Sequence, residues 1–205
     1  MSTPSIKTSG HSLYYSLFFS LWILILFSAS CGGGSVRVED LKIRNVDLPE
    51  YGIKLAVPNE WEQVTDKHFH YIASGKGPNN LVATVEYRGL ETEHTDATGK
   101  ALYAQGWYEA IARNYDQKDE EAVFKDWKYI RRGKVASDPE GLFEFEGTYR
   151  RGAIVFRKIG KLRFRGNRVH AIYYTAPDQD FRPVRRLFET IDAGHEYYPP
   201  VPREP

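Results

Sequence analysis

Lys161, Arg163 and Arg165 alternate with Leu162 and Phe164. On an extended strand, where side chains repeat every second residue, this spacing stands three positive charges in a row on one face. Such a row, extended by Arg150, Arg151 and Arg168, can receive an acidic protein or anionic headgroups. Glu144 and Glu146 offer the competing reading: on a neighbouring strand they would answer the cations as cross-strand pairs, each worth roughly 0.2–1 kcal/mol. His68 and His70 flank Phe69 and on a strand would point to one side, as two metal ligands must, with His94 or His170 as a third. With no carboxylate at fixed spacing, exposed strand histidines are the plainer reading. Asp178 and Asp180 have the spacing of paired catalytic carboxylates. They also directly precede a helical pattern, where acidic groups satisfy free N–H groups and the positive dipole end. No P-loop, nucleophile elbow, zinc-protease helix or dinucleotide fingerprint occurs. The sequence therefore proposes no catalytic residue, no metal and no cofactor; a hydrolase would have to use Asp178 or His170.

One further group has a chemistry of its own. Cys31 is the only cysteine, so an internal disulfide is impossible and a metal centre of several thiolates is excluded. Residues 13–27 are an apolar run of 15, which as a helix reaches only ~22 Å against a hydrocarbon core of ~30 Å. Lys7 before the run and Ser28, Ala29 and Ser30 after it complete the design of a secretory signal over residues 1–30. Ser28-Ala29-Ser30-Cys31 resembles a lipobox, where lipoprotein signal peptidase cuts before a diacylglyceryl cysteine, although Ser28 stands where a Leu is usual. The same small residues satisfy an ordinary secretory cleavage site, and an uncleaved anchor is a third possibility. Gly32, Gly33, Gly34 and Ser35 favour lipidation, since residues 31–36 then form a flexible tether. Gly32, where an Asp would signal inner-membrane retention, resembles the outer-membrane, periplasm-facing type.

The rest of the chain is ordinary globular sequence. With 41% apolar and 14% aromatic residues in a chain of 205, one core needs no further staple. Removal of residues 1–30 takes only Lys7 from 28 basic residues and none of the 27 acidic ones. The balance leaves no global field to capture a polyanion, so nucleic acid is excluded as a partner. The domain is expected over residues 37–196, followed by a Pro-rich tail, 197–205, extended and solvated.

Within it, alternation predicts strands at 53–57, 69–73 and 81–87. A helix follows over 97–115, with Ala101, Ala104, Tyr108, Ile111 and Tyr115 on one stripe, Asp96 as N-cap and a Glu109–Arg113 ion pair. Strands at 127–135, 142–149, 153–164 and 168–175 form a meander divided by Gly133, Gly141, Gly152 and Gly166-Asn167. The last helix, 181–191, is capped by Asp180 and buries Phe181, Val184, Leu187, Phe188 and Ile191. The class is α+β, an antiparallel sheet flanked by helices.

Gly52, Ile53, Leu55, Val57, Pro58 and Trp61 resemble the G-[FI]-x-[LI]-x-[VL]-P-x-x-W opening of PsbP/Mog1-like domains. Residues 166–177, with Phe181, Phe188 and Ile191, resemble their last strand and C-terminal helix. The similarity spans about residues 48–194 and implies an α/β/α sandwich used for binding. PsbP-type proteins attach to photosystem II, Mog1 binds a small GTPase and several bacterial members are lipoproteins. The family offers no catalytic residues to transfer. The expectation is a monomeric, membrane-anchored envelope lipoprotein with a non-catalytic domain for another envelope protein. The alternative is a small-ligand or ion carrier with a pocket between sheet and helix, lined by Tyr108, Tyr149, Tyr173 or Tyr174.

Overall fold

The computed structural model describes residues 42–76, 82–116 and 123–201; Cys31 and its tether lie outside them. Seven strands, β3 (Glu62–Val64), β4 (Tyr71–Lys76), β5 (Val82–Glu91), β6 (Lys125–Val135), β7 (Leu142–Arg151), β8 (Ile154–Arg165) and β9 (Arg168–Pro177), form one antiparallel sheet in the order β3-β4-β5-β9-β8-β7-β6. A second sheet has the order β1-β2-β10, from β1 (Ile43–Leu48), β2 (Ile53–Pro58) and β10 (Glu196–Tyr197). Helix α1 (Ala97–Tyr115) covers one face of the large sheet; helix α2 (Phe181–Ala193) and the small sheet cover the other. The architecture is α+β, as the hydrophobic pattern predicts.

The period of two in β9 divides the core. Val169, Ala171 and Tyr173 point to α1, while Ile172, Tyr174 and Ala176 point to α2. A central strand buried on both faces has no polar side and reads as a continuous apolar run. Helix α2 buries the five residues predicted. Asp180 stands at its N-cap without a side-chain hydrogen bond to the helix N–H groups, and a 3-10 turn, Asp178–Asp180, leads into the helix. Helix α1 has the predicted bounds, and Asp96 accepts from the Gly99 N–H at 2.8 Å. Its buried stripe is Gly99, Ala104, Tyr108 and Ile111, with Ala101 exposed, and Glu109 accepts from Gln105 at 2.9 Å.

Two further differences follow from tertiary pairing. His68 and His70 lie in the loop before β4 rather than on a strand; His68 is exposed, and His70 Nδ1 accepts from Gly89 N–H at 3.0 Å while its ring stacks on Tyr51. No group of three potential metal-ligating side chains forms among the described residues. The C-terminal segment is docked: Tyr197 pairs with Ile53, Tyr198 N–H donates to the Gly52 carbonyl at 3.0 Å and Val201 N–H to that of Pro49 at 2.9 Å. Gly52 permits this with φ of +69°, and a Cβ there would collide with the Tyr198 carbonyl.

Candidate functional site

The alternation of β8 does put Lys161, Arg163 and Arg165 on one face, the α2 side, but acids close over them. Lys161 Nζ lies 2.7 Å from Asp192 and 3.4 Å from Glu144. Arg163 reaches Asp192 at 3.0 Å and Asp138 at 3.4 Å, and Arg165 reaches Glu140 at 3.3 Å. These three side chains are only 17–27% exposed. Of the two glutamates read as their partners, Glu144 fits. Glu146 instead gathers Arg131 at 2.9 Å, Arg157 at 3.1 Å and Arg185 at 3.4 Å. Burial opposes charge on Glu146 and Asp192, yet the surrounding cations outweigh it and hold both carboxyls below their ordinary range. Arg150 pairs with Asp126 at 3.5 Å and Arg168 with Glu91 at 3.0 Å. The unpaired patch that the row would need is thus not what these residues form. Their network fastens α2 to the sheet.

Cations without a carboxylate lie two strands further out. β6 is the edge of the sheet, paired only with β7. Its Lys128, Arg132 and Lys134 are exposed and have no ion pair among the described residues. The Arg132 guanidinium sits 4.9 Å from the Tyr129 ring centroid and 5.7 Å from that of Tyr108, which fixes it in place without neutralising it. Ile130 stands between them, 51% exposed. Register irregularities at residues 125–128 and 129–131 interrupt the ladder. Bulges and cations on an edge oppose strand addition, so this edge is suited to recognition through side chains.

Two further polar clusters are buried, one on each face of the sheet. Under α1, Lys158 Nζ lies 2.5 Å from Glu86 and 2.9 Å from the Tyr115 hydroxyl, against the rings of Tyr115 and Tyr173. On the other face the Ala56 N–H donates to His195 Nδ1 at 3.0 Å, which puts the imidazole proton on Nε2. That nitrogen then donates to the Tyr174 hydroxyl at 2.9 Å, and Tyr174 donates to Asp192 at 3.0 Å. His170 meets the Tyr87 hydroxyl at 3.1 Å. Burial is the main cause that lowers both imidazoles to about 4. These groups resemble catalytic clusters in composition, but buried side chains with their partners satisfied face no substrate. Asp178 accepts from Arg157 at 2.5 Å.

Of the tyrosines offered as alternative pocket linings, Tyr108, Tyr149 and Tyr173 pack under α1 and Tyr174 lines a cleft beside α2. Tyr108 donates to the Glu144 carbonyl at 3.0 Å, Tyr173 accepts from Trp107 Nε1 at 2.7 Å, and Tyr149 stacks on Phe156. Tyr174 points to the opposite face of the sheet. A small cleft of about 170 Å³ does separate α2 from the sheet, lined by Arg131, Glu144, Lys161, Tyr174, Arg185 and Glu189.

No family model matches the sequence, and no curated protein matches it. Among solved structures, the chain is similar to the cyanobacterial PsbP (CyanoP) of Synechocystis sp. PCC 6803, with a TM-score of 0.51 and 13% identity over 83% of this chain and 99% of that one. It is similar to LpqN of Mycobacterium tuberculosis, a protein involved in cell envelope biogenesis, with a TM-score of 0.52 and 13% identity over 82% of this chain and 100% of that one. The chain has the PsbP/Mog1-like fold. The Ran-binding protein Mog1p of Saccharomyces cerevisiae aligns at a TM-score of 0.48 and 11% identity, over 77% of this chain and 96% of that one. Identities this low show the fold alone. In this PsbP/Mog1-like chain the opening motif has a physical reason. Trp61 is buried against Gly75, where a Cβ would meet its ring at 2.5 Å, and its indole N–H donates to the Lys76 carbonyl at 3.1 Å.

Proposed function

We propose that this chain is a bacterial envelope lipoprotein, held at a membrane by acyl groups on Cys31, whose domain is a non-catalytic module that binds an acidic envelope protein. The observation that carries the binding half is the β6 edge, where Lys128, Arg132 and Lys134 remain exposed and unneutralised while Lys161, Arg163 and Arg165 are paired. The anchoring half rests on the leader, Cys31 and the glycine tether. Gly32 favours the outer membrane, facing the periplasm. LpqN, which shares the fold, is involved in cell envelope biogenesis, which accords with that location. Enclosure of every histidine–tyrosine and lysine–carboxylate cluster described above supports a role without catalysis, and the domain acts as a monomer.

A photo-crosslinking residue at Ile130 in the full chain, irradiated in intact cells, tests the binding surface. A discrete protein adduct is expected that disappears when Lys128, Arg132 and Lys134 are all changed to Glu. Each exposed pair contributes about 0.2–1 kcal/mol, so reversing three charges weakens the complex roughly tenfold or more. An adduct indifferent to charge reversal, or no adduct, opposes the reading. The cleft beside α2 favours a second reading, an ion or a very small ligand held in it; native mass spectrometry of gently extracted protein separates the two.

A further inference from the structure

We propose that the end of the domain carrying the β7–β8 hairpin lies on the bilayer, with Ile154 and Val155 seated at the boundary between headgroups and acyl chains. This inference rests on the lipid anchor proposed above and adds an orientation and a contact to it.

Topology brings the relevant ends together. β1 begins at Ile43 opposite Pro58, the last residue of β2. From there Trp61 reaches the Lys76 carbonyl at the end of β4, where Lys76 pairs with Val82 at the start of β5. The end of β9 and the start of β8 share that end, since Phe156 pairs with Pro177. Arg151 and Ile154 close the β7–β8 hairpin there, and Lys125 of β6 pairs with Arg150 beside them. The first described strand, β1, therefore begins at the end where the hairpin tip projects. The opposite end carries Gly166 and Asn167 and the β1–β2 turn with the docked C-terminal segment.

The surface chemistry is uneven between the two ends. Of eight large apolar side chains left exposed among the described residues, four are at the end where β1 begins: Val123 at 49%, Ile154 at 42%, Val155 at 39% and Ile43 at 37%. Arg150 and Arg151 flank the tip, the former paired with the exposed Asp126 and the latter over the Phe124 ring. Apolar side chains rimmed by arginine suit the interfacial zone of a membrane. Of the acids at this end, Glu60 and Glu62 sit at the β3 edge, four strand spacings or about 19 Å from β8, while Asp178 and Asp180 follow the end of β9 beside it, Asp178 paired with Arg157. Chain length supplies the occupant. Twelve residue steps separate Cys31 from Ile43, a span of at most ~40 Å. A tether this short holds the tip at millimolar effective concentration, so even a weak contact with lipid becomes populated.

In the acylated protein the thiol of Cys31 is a thioether, so Val155→Cys introduces the one thiol open to a nitroxide label. The full lipoprotein, labelled at this position or at Asn167→Cys on the opposite end, is reconstituted into vesicles of phosphatidylethanolamine and phosphatidylglycerol. Label accessibility to oxygen is compared with accessibility to a water-soluble nickel chelate. The expected result is a ratio several-fold higher at 155 than at 167, returned to the aqueous value by Ile154→Asp. Ala153→Cys on the exposed turn repeats the reading if Val155→Cys disturbs the strand. Equal ratios at the two ends in protein whose intact mass shows the acyl groups overturn the tip contact and leave the anchor standing. A mass without acyl groups overturns the anchor and this inference together.

Discussion

Removing the carboxylate of Glu86 should leave a charge stranded under α1. The Lys158 side chain is 2% exposed and that of Glu86 15%. Burial opposes the ammonium, and the attraction of Glu86 more than offsets it, so Lys158 is held above its ordinary value. In Glu86→Gln the ammonium keeps the Tyr115 hydroxyl and two ring faces but loses its counter-charge. Breaking a buried pair costs about 3–5 kcal/mol, and the residual exposure of Glu86 puts this case near ~3 kcal/mol. For a domain of this size each kcal/mol moves Tm by roughly 2–4 °C, so thermal unfolding followed by circular dichroism should shift down by about 6–12 °C. The pH dependence has a definite sign. Without Glu86 the folded-state pKa of Lys158 drops below its unfolded value, the unfolded chain then holds more protons, and the variant regains stability relative to wild type as pH rises from 7 towards 10. Replacing both residues, Lys158→Met with Glu86→Leu, removes the charge and the need for it, and should recover most of the loss. A Glu86→Gln loss under about 1 kcal/mol, or a double variant no better than the single, would refute the reasoning.

Two further perturbations probe the docked C-terminal segment and the α2 face. His170 and His195 are buried neutral with pKa values lowered to about 4, so the unfolded state binds more protons below the ordinary value of about 6.5. Stability should fall as pH drops from about 6.5 to 4, at up to ~1.4 kcal/mol per pH unit for each imidazole; in urea titrations, His170→Phe should show a shallower slope across that window. Gly52→Ala should cost about 1–2 kcal/mol from its positive φ and expel Tyr198 from its seat. Limited chymotrypsin digestion should then cut after Tyr197 faster than in wild type; unchanged cleavage would contradict the docking of this segment.

Legibility of this structure in its sequence followed the range of the interactions involved. The i, i+3, i+7 stripe of α2 and the alternation of β8 are local and transferred directly to five buried side chains and a one-sided basic row. The acids that neutralise the row come from elsewhere: Asp192 lies 31 residues beyond Lys161, and Asp138 lies 25 residues before Arg163. No local spacing links such partners. Lys128, Arg132 and Lys134 became significant only once strand order made β6 the edge. Tyr174 lines the cleft beside α2 and Tyr173 packs under α1, a division periodicity itself dictates, since the two are adjacent on a strand and face opposite sides. Strands β1 and β10 gave little signal, because Val46 and Leu48 of β1 are only partly buried and β10 has two residues. The docked segment from Tyr197 to Val201 is held by backbone hydrogen bonds to Gly52 and Pro49 and by Tyr197 against His170, Arg163 and Arg165, partners remote in sequence that no local spacing announces.

The most direct test of a tethered, non-catalytic envelope module is the intact mass of the protein extracted from membranes. The account predicts a chain that begins at Cys31 and carries the added mass of a diacylglyceryl group, with or without a further acyl chain on its amino group. A chain that begins at Met1, or one that begins at Cys31 with an unmodified thiol, would contradict it.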